Sequence, residues 1–462
     1  MLKLQTVKNQ YIINKLTKRC FSASCPVPLR SPSGPAPVPL RYPSYRLRSG
    51  CEEGAEGVPG GRAGEGEFFS AGTYEKGVAR VNSPVLNYKK TPRIVLAVTN
   101  DVATDQRVAR HAAALQEVGF EVTVVGRRLP DSLPAEFPWR VERMTLRHRR
   151  GWRFYAEYNR RLRQWLLKER PDVVWANDAD TLPGCYAAAR RLGGKLVFDA
   201  HELFSEVPEI QHKPVVKWVW RTVERQLMPK CDARLTVCQS IADHYKKTLG
   251  VEMTVVRNLS RDVTRHVSTD AASFETCHVT SLLYGGCVNV GRGVDWAIDA
   301  LEWLPQCRLV VAGDGDLLEQ MKAYAARKPW ADRITFTGRV TPEALAALTA
   351  KADVGLVMLE DMGLSYRYAL PNRVGSFVQA GVPIVVSDLP EMAAVVRRFG
   401  VGEVIEELGV KSYELRVKAL AEAVKKVLAR QWTEADFAAA REDMDWNKEK
   451  KKLLDICYTK FC

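Results

Sequence analysis

Short apolar runs alternate with segments of helical spacing along the chain, beginning near residue 93. Ile94–Val98 is a continuous apolar run, which is typical of a strand buried on both faces. Asp105–Val118 then places apolar residues at helical spacing, and Gly119 follows at a position typical of a helix end. The pattern continues with strands predicted at Val122–Val125, Val173–Ala176, Leu196–Phe198, Leu235–Val237 and Val255–Val256. Alternating strands and helices predict an α/β domain with a parallel, doubly wound sheet.

A polar gap at Ser260–Glu275 interrupts this alternation, and a second series of strands follows the gap. Its strands are predicted at Ser281–Tyr284, Leu309–Ala312, Ile334–Phe336, Val354–Met358 and Ile384–Val386. Thr341 and Pro342 form a favourable helix start. We therefore predict two domains, 91–265 and 275–430, followed by a terminal helix within 431–462. Ligands of such sheets bind beyond the carboxyl ends of the strands, so the cleft between the domains is the predicted site.

The first 90 residues differ from the rest of the chain in composition. They contain 14 Lys/Arg and 6 Asp/Glu, which gives +8 of the total formal charge of +14. Pro-rich and Gly-rich stretches at 26–43 and 50–66 cannot bury enough apolar surface to offset the entropy of ordering. We predict a disordered extension over 1–90. A mitochondrial transit peptide is the alternative for this acid-poor, basic start, and an over-long start of the chain is another.

The composition of the whole chain excludes several classes of protein. Of the 462 residues, 46% are apolar and 26% are charged, as in a globular protein. No run approaches the ~18–20 apolar residues of a membrane-spanning helix, and no nucleic-acid-binding motif is present. Eleven scattered cysteines without a CxxC pair indicate free thiols, so we expect a cytoplasmic protein without a structural metal.

Two glycine-rich loops follow strands of the second domain, at Gly285–Gly293 and Gly313–Asp316. Glycines allow backbone N–H groups to approach a phosphate closely, although strand-to-helix turns need glycine for structural reasons as well. Arg292 lies inside the first loop, and Arg373 lies at the start of a predicted helix. Two guanidinium groups in these places predict a pyrophosphate site that needs no metal; a solvated surface role is the alternative for each arginine singly.

Several motifs, in order along residues 91–460, resemble glycosyltransferase family 4. In the first domain they are Asp105–Val108, Asn177–Leu182 and Phe198–Glu202. In the second domain they are Arg292–Gly293, Gly313–Gly315, Tyr366–Arg373, Gly381–Pro383 and Ser387–Glu391. The resemblance implies the GT-B fold, in which two Rossmann-like domains face a cleft and a terminal helix crosses back to the first domain. It also implies transfer of a hexosyl group from a nucleotide-diphosphate sugar to an acceptor hydroxyl, with retention of the anomeric configuration and with no cofactor or metal.

The resemblance also assigns residues to roles at the site. Arg292 matches the basic residue that neutralises the donor diphosphate, and Arg373 matches a position usually held by lysine. His201 matches a histidine near the transferred sugar. The remaining donor-side positions are Gly285, Gly286, Gly293, Gly313, Asn372, Ser376 and Glu391, and the acceptor-side positions are Asp105, Asp178 and Glu202.

The chain departs from the family pattern at three of its positions. Ser376 and Tyr368 replace two glutamates, of which the first contacts the donor ribose in the family, and Gly286 replaces an arginine. The alternatives to a transferase are therefore a GT-B protein that binds a sugar or nucleotide without transfer, and a nucleotide-sugar epimerase on the same fold.

A basic, aromatic stretch at Arg140–Arg170 contains eleven Lys/Arg. Tyr155, Tyr158, Leu162, Trp165 and Leu166 fall on one helical face, which predicts core packing, whereas the arginine face is left to contact lipid or phosphate. The expected partners are a nucleotide-sugar donor, a carbohydrate or lipid-linked acceptor and the surface of an anionic membrane. Three Asp-x-Asp triplets are present, at 178–180, 314–316 and 443–445, where about one is expected by chance. Such a triplet binds metal in glycosyltransferases of another fold, but the motif alone often arises without that role.

Overall fold

The computed structural model describes residues 91–259, 280–406 and 412–461, apart from residues 104, 131 and 133. The extension predicted over 1–90 and the polar gap at 260–275 lie outside the described residues. Two parallel sheets, each packed between helices, form two lobes. The α/β, doubly wound architecture predicted from the sequence is confirmed.

The first lobe has a sheet of seven strands in the order β3-β2-β1-β4-β5-β6-β7. Its strands are β1 Arg93–Ala97, β2 Glu121–Arg127, β3 Arg140–Met144, β4 Val173–Asn177, β5 Lys195–Ala200, β6 Ala233–Thr236 and β7 Thr254–Val255. Its helices are α1 Gln106–Glu117, α2 Gly151–Glu169, α3 Asp178–Leu192, α4 Pro214–Leu227 and α5 Gln239–Leu249. All the pairings are parallel, so every strand ends at the same edge of the sheet.

The second lobe has a sheet of six strands in the order β10-β9-β8-β11-β12-β13. Its strands are β8 Thr280–Gly285, β9 Cys307–Ala312, β10 Ile334–Gly338, β11 Val354–Val357, β12 Ile384–Ser387 and β13 Gly402–Ile405. Its helices are α6 Val294–Ala300, α7 Leu318–Ala325, α8 Pro342–Lys351, α9 Leu364–Arg367, α10 Asn372–Ala380, α11 Pro390–Phe399, α12 Tyr413–Ala429 and α13 Glu434–Asp443. Both sheets reverse their strand order beside their first strand, where doubly wound sheets bind ligands.

The last helix, α14 (Trp446–Phe461), packs on the first lobe. Trp446 stacks on the ring of His111 in α1 with 6.2 Å between the ring centroids, and Leu453 and Cys457 join the core beneath the first sheet. Arg257, which follows β7, donates from its side chain to Asp443 at 2.6 Å and to Glu449 at 2.9 Å. The segment that leaves the first lobe and the segment that returns to it are therefore joined by ion pairs, and Glu449 is fully buried among them.

Helix α2 contains the basic, aromatic stretch noted in the sequence. Phe154, Tyr158, Leu162 and Leu166 are buried, and Tyr155 and Trp165 pack against the same core, which confirms the predicted core stripe. No helix in the described part of the chain combines the length and the apolar composition needed to span a membrane.

Candidate active site

The carboxyl ends of β4 and β5 bring four polar residues together at the edge of the first sheet. Asn177 is the last residue of β4, Asp178 begins α3, and His201 and Glu202 follow β5 directly. β4 and β5 are neighbours in the sheet, and Asn177 pairs in register with Asp199. Parallel neighbours end at the same edge, so motifs that are separated by more than twenty residues in sequence lie next to each other.

His201 is surrounded by acceptors on both sides of its ring. Its Nδ1 lies 3.5 Å from Asp178 Oδ2, and its Nε2 lies 3.2 Å from Asn177 Oδ1 and 3.5 Å from Asp199 Oδ2. Burial acts to lower the pKa of His201, but the carboxylates of Asp178 and Asp199 raise that pKa to about 9. An imidazole whose two nitrogens both face acceptors is held in its protonated form, so His201 is a fixed cation at neutral pH.

Asp199 is fully buried behind His201 and is itself paired with an arginine. Arg107 of α1 donates to both of its carboxylate oxygens, at 2.7 and 3.0 Å, and also donates to the carbonyl of Val256 at 2.7 Å. Burial acts to raise the pKa of Asp199, but Arg107 holds it well below its usual range. The bidentate pair therefore presents an ionised carboxylate to His201 in a fixed position.

Asp178 is held by strained backbone at the start of α3. Its φ of 60° lies in the left-handed region, which residues other than glycine rarely adopt. The strain lets Asp178 Oδ1 accept a hydrogen bond from the backbone N–H of His201 at 2.8 Å. Burial raises the pKa of Asp178 to about 8, against the opposing charge of His201. Burial likewise raises the pKa of Asp180 to about 7, against the hydrogen bond from Thr99 at 2.5 Å. Asp178 and Asp180 at the edge of the sheet therefore keep their protons to a higher pH than ordinary carboxyl groups do.

Glu202 of the first lobe contacts the second lobe. Its Oε2 accepts a hydrogen bond from Ser365 of α9 at 3.4 Å. Burial raises the pKa of Glu202 and Glu209 adds to the rise, whereas Arg292 and His201 act against it. Glu202 therefore lies within electrostatic reach of a cation from each lobe.

Arg292 lies near the end of the first glycine-rich loop, over the ring of Tyr366. Its guanidinium carbon is 4.6 Å from the centre of the Tyr366 ring, and its Nε is buried without a hydrogen-bond partner among the described residues. The cation–π contact orients the guanidinium over the ring. Burial raises the pKa of Tyr366, and Arg292 opposes that rise.

Arg373, at the start of α10, lies against the same loop from the other side. Its guanidinium carbon is 4.6 Å from the centre of the Tyr284 ring, and its Nη1 donates to the carbonyl of Gly285 at 2.8 Å. A Cβ at Gly286 would lie 3.2 Å from this Nη1, and Gly286 has a φ of 140°. Because Gly286 has no side chain, the Arg373 guanidinium can lie close to the backbone at this position.

The glycines of these loops allow the backbone to pack tightly. A Cβ at Gly313 would lie 1.8 Å from the carbonyl oxygen of Gly286, so the loops after β8 and β9 touch through their backbones. Gly293 has a φ of 66° and caps the start of α6, and a Cβ there would lie 2.7 Å from Met358 Cβ. Both positions therefore need glycine for steric reasons, whatever ligand the loops hold.

Four other candidate residues have contacts of their own. Asp105 caps α1, with Oδ1 accepting from the N–H of Val108 at 3.1 Å. Asn372 begins α10, and its carbonyl accepts from Ser376 Oγ at 3.3 Å. Glu391 Oε1 accepts from the N–H of Ser240 in α5 at 2.6 Å, so this donor-side candidate reaches the first lobe.

Sequence reasoning singled out neither the two tyrosines beneath the arginines nor the Arg107–Asp199 pair. Tyr366, Arg107 and Asp199 lie inside motifs that were noted, but a motif does not give the partner of a side chain. Within the described ranges, no group of three or more His, Cys, Asp or Glu side chains is arranged as a metal site. The Asp443 of one Asp-x-Asp triplet is paired with Arg257.

Taken together, the second lobe supplies two guanidinium groups held over tyrosines, and the first lobe supplies an imidazolium among carboxyl groups. The cations of the second lobe suit a diphosphate, because guanidinium binds phosphate oxygens in pairs. The polar set of the first lobe suits the hydroxyl groups of a sugar or an acceptor.

Comparison with known proteins gives two adjoining family matches. Residues 105–259 match the family described as Glycosyltransferase Family 4, and residues 280–430 match the family described as Glycosyl transferases group 1. A curated relative, alpha-D-kanosaminyltransferase from Streptomyces kanamyceticus, is 25% identical over 251 residues. That match covers 46% of this chain and 63% of the length of the relative.

Solved structures share the fold at low sequence identity. Sucrose-phosphate synthase from Thermosynechococcus elongatus matches with a TM-score of 0.65 and 15% identity, covering 80% of this chain and 98% of that one. HepE from Anabaena, in complex with UDP-glucose, matches with a TM-score of 0.61 and 13% identity, covering 79% and 99%. These likenesses confirm the GT-B arrangement of the two sheets.

Proposed function

The chain belongs to glycosyltransferase family 4, and from this premise we propose that it is a retaining glycosyltransferase. It moves a hexosyl group from a nucleotide-diphosphate sugar to an acceptor hydroxyl, without a metal ion. The observation that carries the proposal is the pair of guanidinium groups, Arg292 over Tyr366 and Arg373 over Tyr284, at the ends of the second sheet. Both contact the first glycine-rich loop or belong to it.

Arg292 and Arg373 act on the leaving group in this proposal. As the bond from the sugar C1 to the diphosphate oxygen breaks, negative charge develops on the diphosphate and positive charge develops on the sugar ring. Fixed cations stabilise the developing negative charge at no cost of reorganisation, and the tyrosine rings keep the guanidinium groups in place. A divalent metal ion performs the same role in other phosphate chemistry, and the two arginines take its place here.

His201 acts on the sugar or the acceptor rather than as a proton acceptor. Its two ring nitrogens face Asp178, Asn177 and Asp199, and the carboxylates raise its pKa to about 9, so it enters the reaction already protonated. Because both ring N–H groups face these protein acceptors, the imidazolium acts through its charge and by holding the Asp178 carboxyl in place. Asp178, with its pKa raised to about 8, is a better candidate for hydrogen bonding to the acceptor hydroxyl.

The fold relatives and the sequence motifs each bear on the identity of the donor and the acceptor. HepE, which shares the fold, was solved with UDP-glucose, and UDP-hexoses are therefore the first donors to test. Ser376 stands where the family usually has a ribose-binding glutamate, so we expect weak donor binding. We propose a carbohydrate or lipid-linked acceptor, met at the surface of an anionic membrane.

The test is an assay of the whole chain with UDP- and GDP-hexoses and a panel of sugar and glycolipid acceptors. The proposal expects release of the nucleoside diphosphate, a product whose anomeric linkage by NMR matches the donor, and an unchanged rate in EDTA. Inversion of the anomeric centre or loss of the rate in EDTA contradicts the retaining, metal-free reaction. Donor binding without release of the diphosphate with any acceptor indicates a binding protein, and interconversion of the donor sugar without release indicates an epimerase.

A further inference from the structure

Helix α4 of the first lobe presents apolar residues on two opposite faces. Its inner face packs through Trp220, whose ring lies 4.9 Å from the rings of Tyr155 and Phe204. Its outer face carries Val215, Trp218 and Val219, which are 72%, 44% and 40% exposed. These three positions follow the i, i+3, i+4 spacing of one helical stripe, and the stripe points to solvent. A second apolar stripe of this kind needs a reason other than the core of the lobe.

A row of basic residues runs beside the exposed stripe. Lys213 precedes α4, and Lys217, Arg221 and Arg225 follow it at four-residue intervals along the helix. Lys217 and Arg221 pair with Glu206, which is buried, so their charges offset one carboxylate between them. The acidic residue of the helix itself, Glu224, is also buried and points inward to Tyr245. The surface of the helix is therefore apolar along its centre and positive along one side.

A further exposed tryptophan with basic neighbours lies at the start of α2 in the same lobe. Trp152, in the first turn of α2, is 75% exposed and lies one turn before Tyr155, which contacts Trp220 of α4. Arg149, Arg150 and Arg153 flank Trp152 and are exposed. Val216 of α4 is 38% exposed, and the remaining exposed large apolar side chains among the described residues belong to the second lobe. Trp152 with its flanking arginines and the exposed stripe of α4 with its basic row are together called here the α2–α4 patch.

The α2–α4 patch adjoins the rim of the cleft. The segment from Glu202 to Pro214 connects the candidate site directly to the start of α4. Its Glu206 and Gln211 approach Gly363 of the second lobe, where an added Cβ would lie 3.1 Å from each of them. Whatever binds the patch is therefore close to the acceptor side of the site.

The charge of the patch selects among its occupants. Two copies of this chain docked through the patch would oppose one basic row to another, which costs free energy. Residues 1–90 carry a formal charge of +8 and are disfavoured for the same reason. An anionic lipid surface offers negative headgroups to the basic side chains and an apolar interior to the tryptophans, and it complements both features at once.

We propose that the α2–α4 patch docks the enzyme on an anionic lipid bilayer, with Val215, Trp218 and Trp152 entering the boundary between headgroups and acyl chains. The inference deepens the proposed function, since it names the surface through which a membrane acceptor is met. Exposed tryptophans occupy this boundary because their rings are apolar and their N–H groups are polar. The sequence pointed to the arginine face of α2, and the structure adds α4 as the apolar part of the patch.

The test is flotation of the full chain with phosphatidylcholine vesicles that contain about 30% phosphatidylglycerol. We expect binding to these vesicles, weaker binding in high salt and little binding to pure phosphatidylcholine. The double variant Val215→Ser/Trp218→Ser should lower the partition constant by about tenfold or more, because two apolar side chains no longer enter the bilayer. Arg225→Glu should lower it by about fivefold or more.

Trp303→Ser is the matched control, since Trp303 is 41% exposed, lies on the second lobe and also has a lysine, Lys418, at its ring. This variant should float as the unchanged chain does, and all variants should keep the same melting temperature. Equal binding by Val215→Ser/Trp218→Ser, or equal binding to neutral vesicles, overturns the proposal. A dimer in sedimentation that this double variant dissociates also overturns it, in favour of self-association.

Flotation requires no donor or acceptor, so it is independent of the transfer reaction. A chain that binds vesicles through the patch and transfers no sugar contradicts the proposed function alone. A chain that transfers sugar to a water-soluble acceptor and ignores vesicles contradicts the docking proposal alone.

Discussion

At the scale of single residues, the candidate site is defined by cations whose positions are fixed before a ligand arrives. Arg292 and Arg373 are each held over a tyrosine ring, and His201 is held among acceptors. A flexible lysine or arginine loses conformational entropy when it binds a phosphate, whereas a stacked guanidinium has lost most of it already. In the proposed reaction, these charges are in place before the transition state forms.

Replacing Arg292 by alanine should lower turnover by about 10²-fold or more, because the charge that develops on the leaving diphosphate loses its partner. Steady-state kinetics with the donor identified by the panel measures the effect. Arg327→Ala is the matched control, because Arg327 also lies over a tyrosine, 5.9 Å from the centre of the Tyr324 ring, away from the candidate residues. Equal turnover in Arg292→Ala and the unchanged chain removes Arg292 from the site.

The protonation of His201 predicts an alkaline limit to activity. Because its pKa is raised to about 9, the imidazolium is present below that pH and is lost as the pH rises through it. The rate should therefore fall above about pH 9. Asp178→Asn keeps the hydrogen bond from the His201 N–H and tolerates a φ of 60°, but removes a carboxylate that raises the pKa.

In Asp178→Asn the alkaline limb should move to lower pH, and NMR titration of the His201 ring should show the same movement. His201→Gln identifies the resonance of this ring. A limb that stays in place while the ring pKa falls would separate the alkaline limit from His201.

At the scale of elements, the apolar runs predicted all the interior strands of the two sheets and two of the four edge strands, β7 and β10. β1, β4, β8 and β12 are buried on both faces, so their sequences are continuously apolar. β3 and β13 were not predicted: both lie at sheet edges, and the sequence of β3, Arg-Val-Glu-Arg-Met, has no such run.

The apolar runs that predicted the strands also predicted which motif residues lie at the strand ends. Motifs that follow apolar runs must lie at the carboxyl edge of a parallel sheet. The contacts that cross between elements were beyond reach, because the pairing of Glu391 with Ser240 or of Arg292 with Tyr366 depends on tertiary packing. A sequence motif gives the position of a side chain along the chain and leaves its partner undetermined.

The turn between β8 and α6 requires glycine at position 293, and this requirement can be tested. Gly293 and Gly400 have the same φ of 66°, but a Cβ at Gly293 would lie 2.7 Å from Met358 Cβ, whereas a Cβ at Gly400 would meet nothing within 4 Å. Gly400→Ala should cost about 1 kcal/mol of unfolding free energy for the backbone alone. Gly293→Ala should cost more, by the steric contact, and should also weaken donor binding. Equal losses in urea unfolding would contradict this account.

At the scale of the whole molecule, two chain segments connect the lobes and are joined to each other by ion pairs. Arg257 of the outgoing segment binds Asp443 and Glu449 of the returning one, and Glu449 is fully buried. Breaking a buried pair leaves a charge without its partner, which costs more than the pair itself contributes. The junction therefore couples the stability of the two lobes.

Glu449→Gln should lower the unfolding free energy by about 3 kcal/mol, because the ion pair between Arg257 and position 449 is lost. The thermal transition should also split in two, since α14 is then held less firmly on the first lobe. Differential scanning calorimetry measures both effects. Glu414→Gln is the control, because Glu414 pairs with Lys418 on an exposed face, where ion pairs contribute little to stability. A single transition with an unchanged midpoint would show that the junction does not couple the lobes.

The contact between Gly286 and Arg373 couples these two positions. The Arg373 guanidinium donates to the carbonyl of Gly285 and lies where a side chain at position 286 would begin. A side chain introduced at 286 must displace the Arg373 guanidinium, and removal of Arg373 leaves Arg292 as the cation of this loop. A redesign of this loop should therefore change positions 286 and 373 together, because the two side chains share one space.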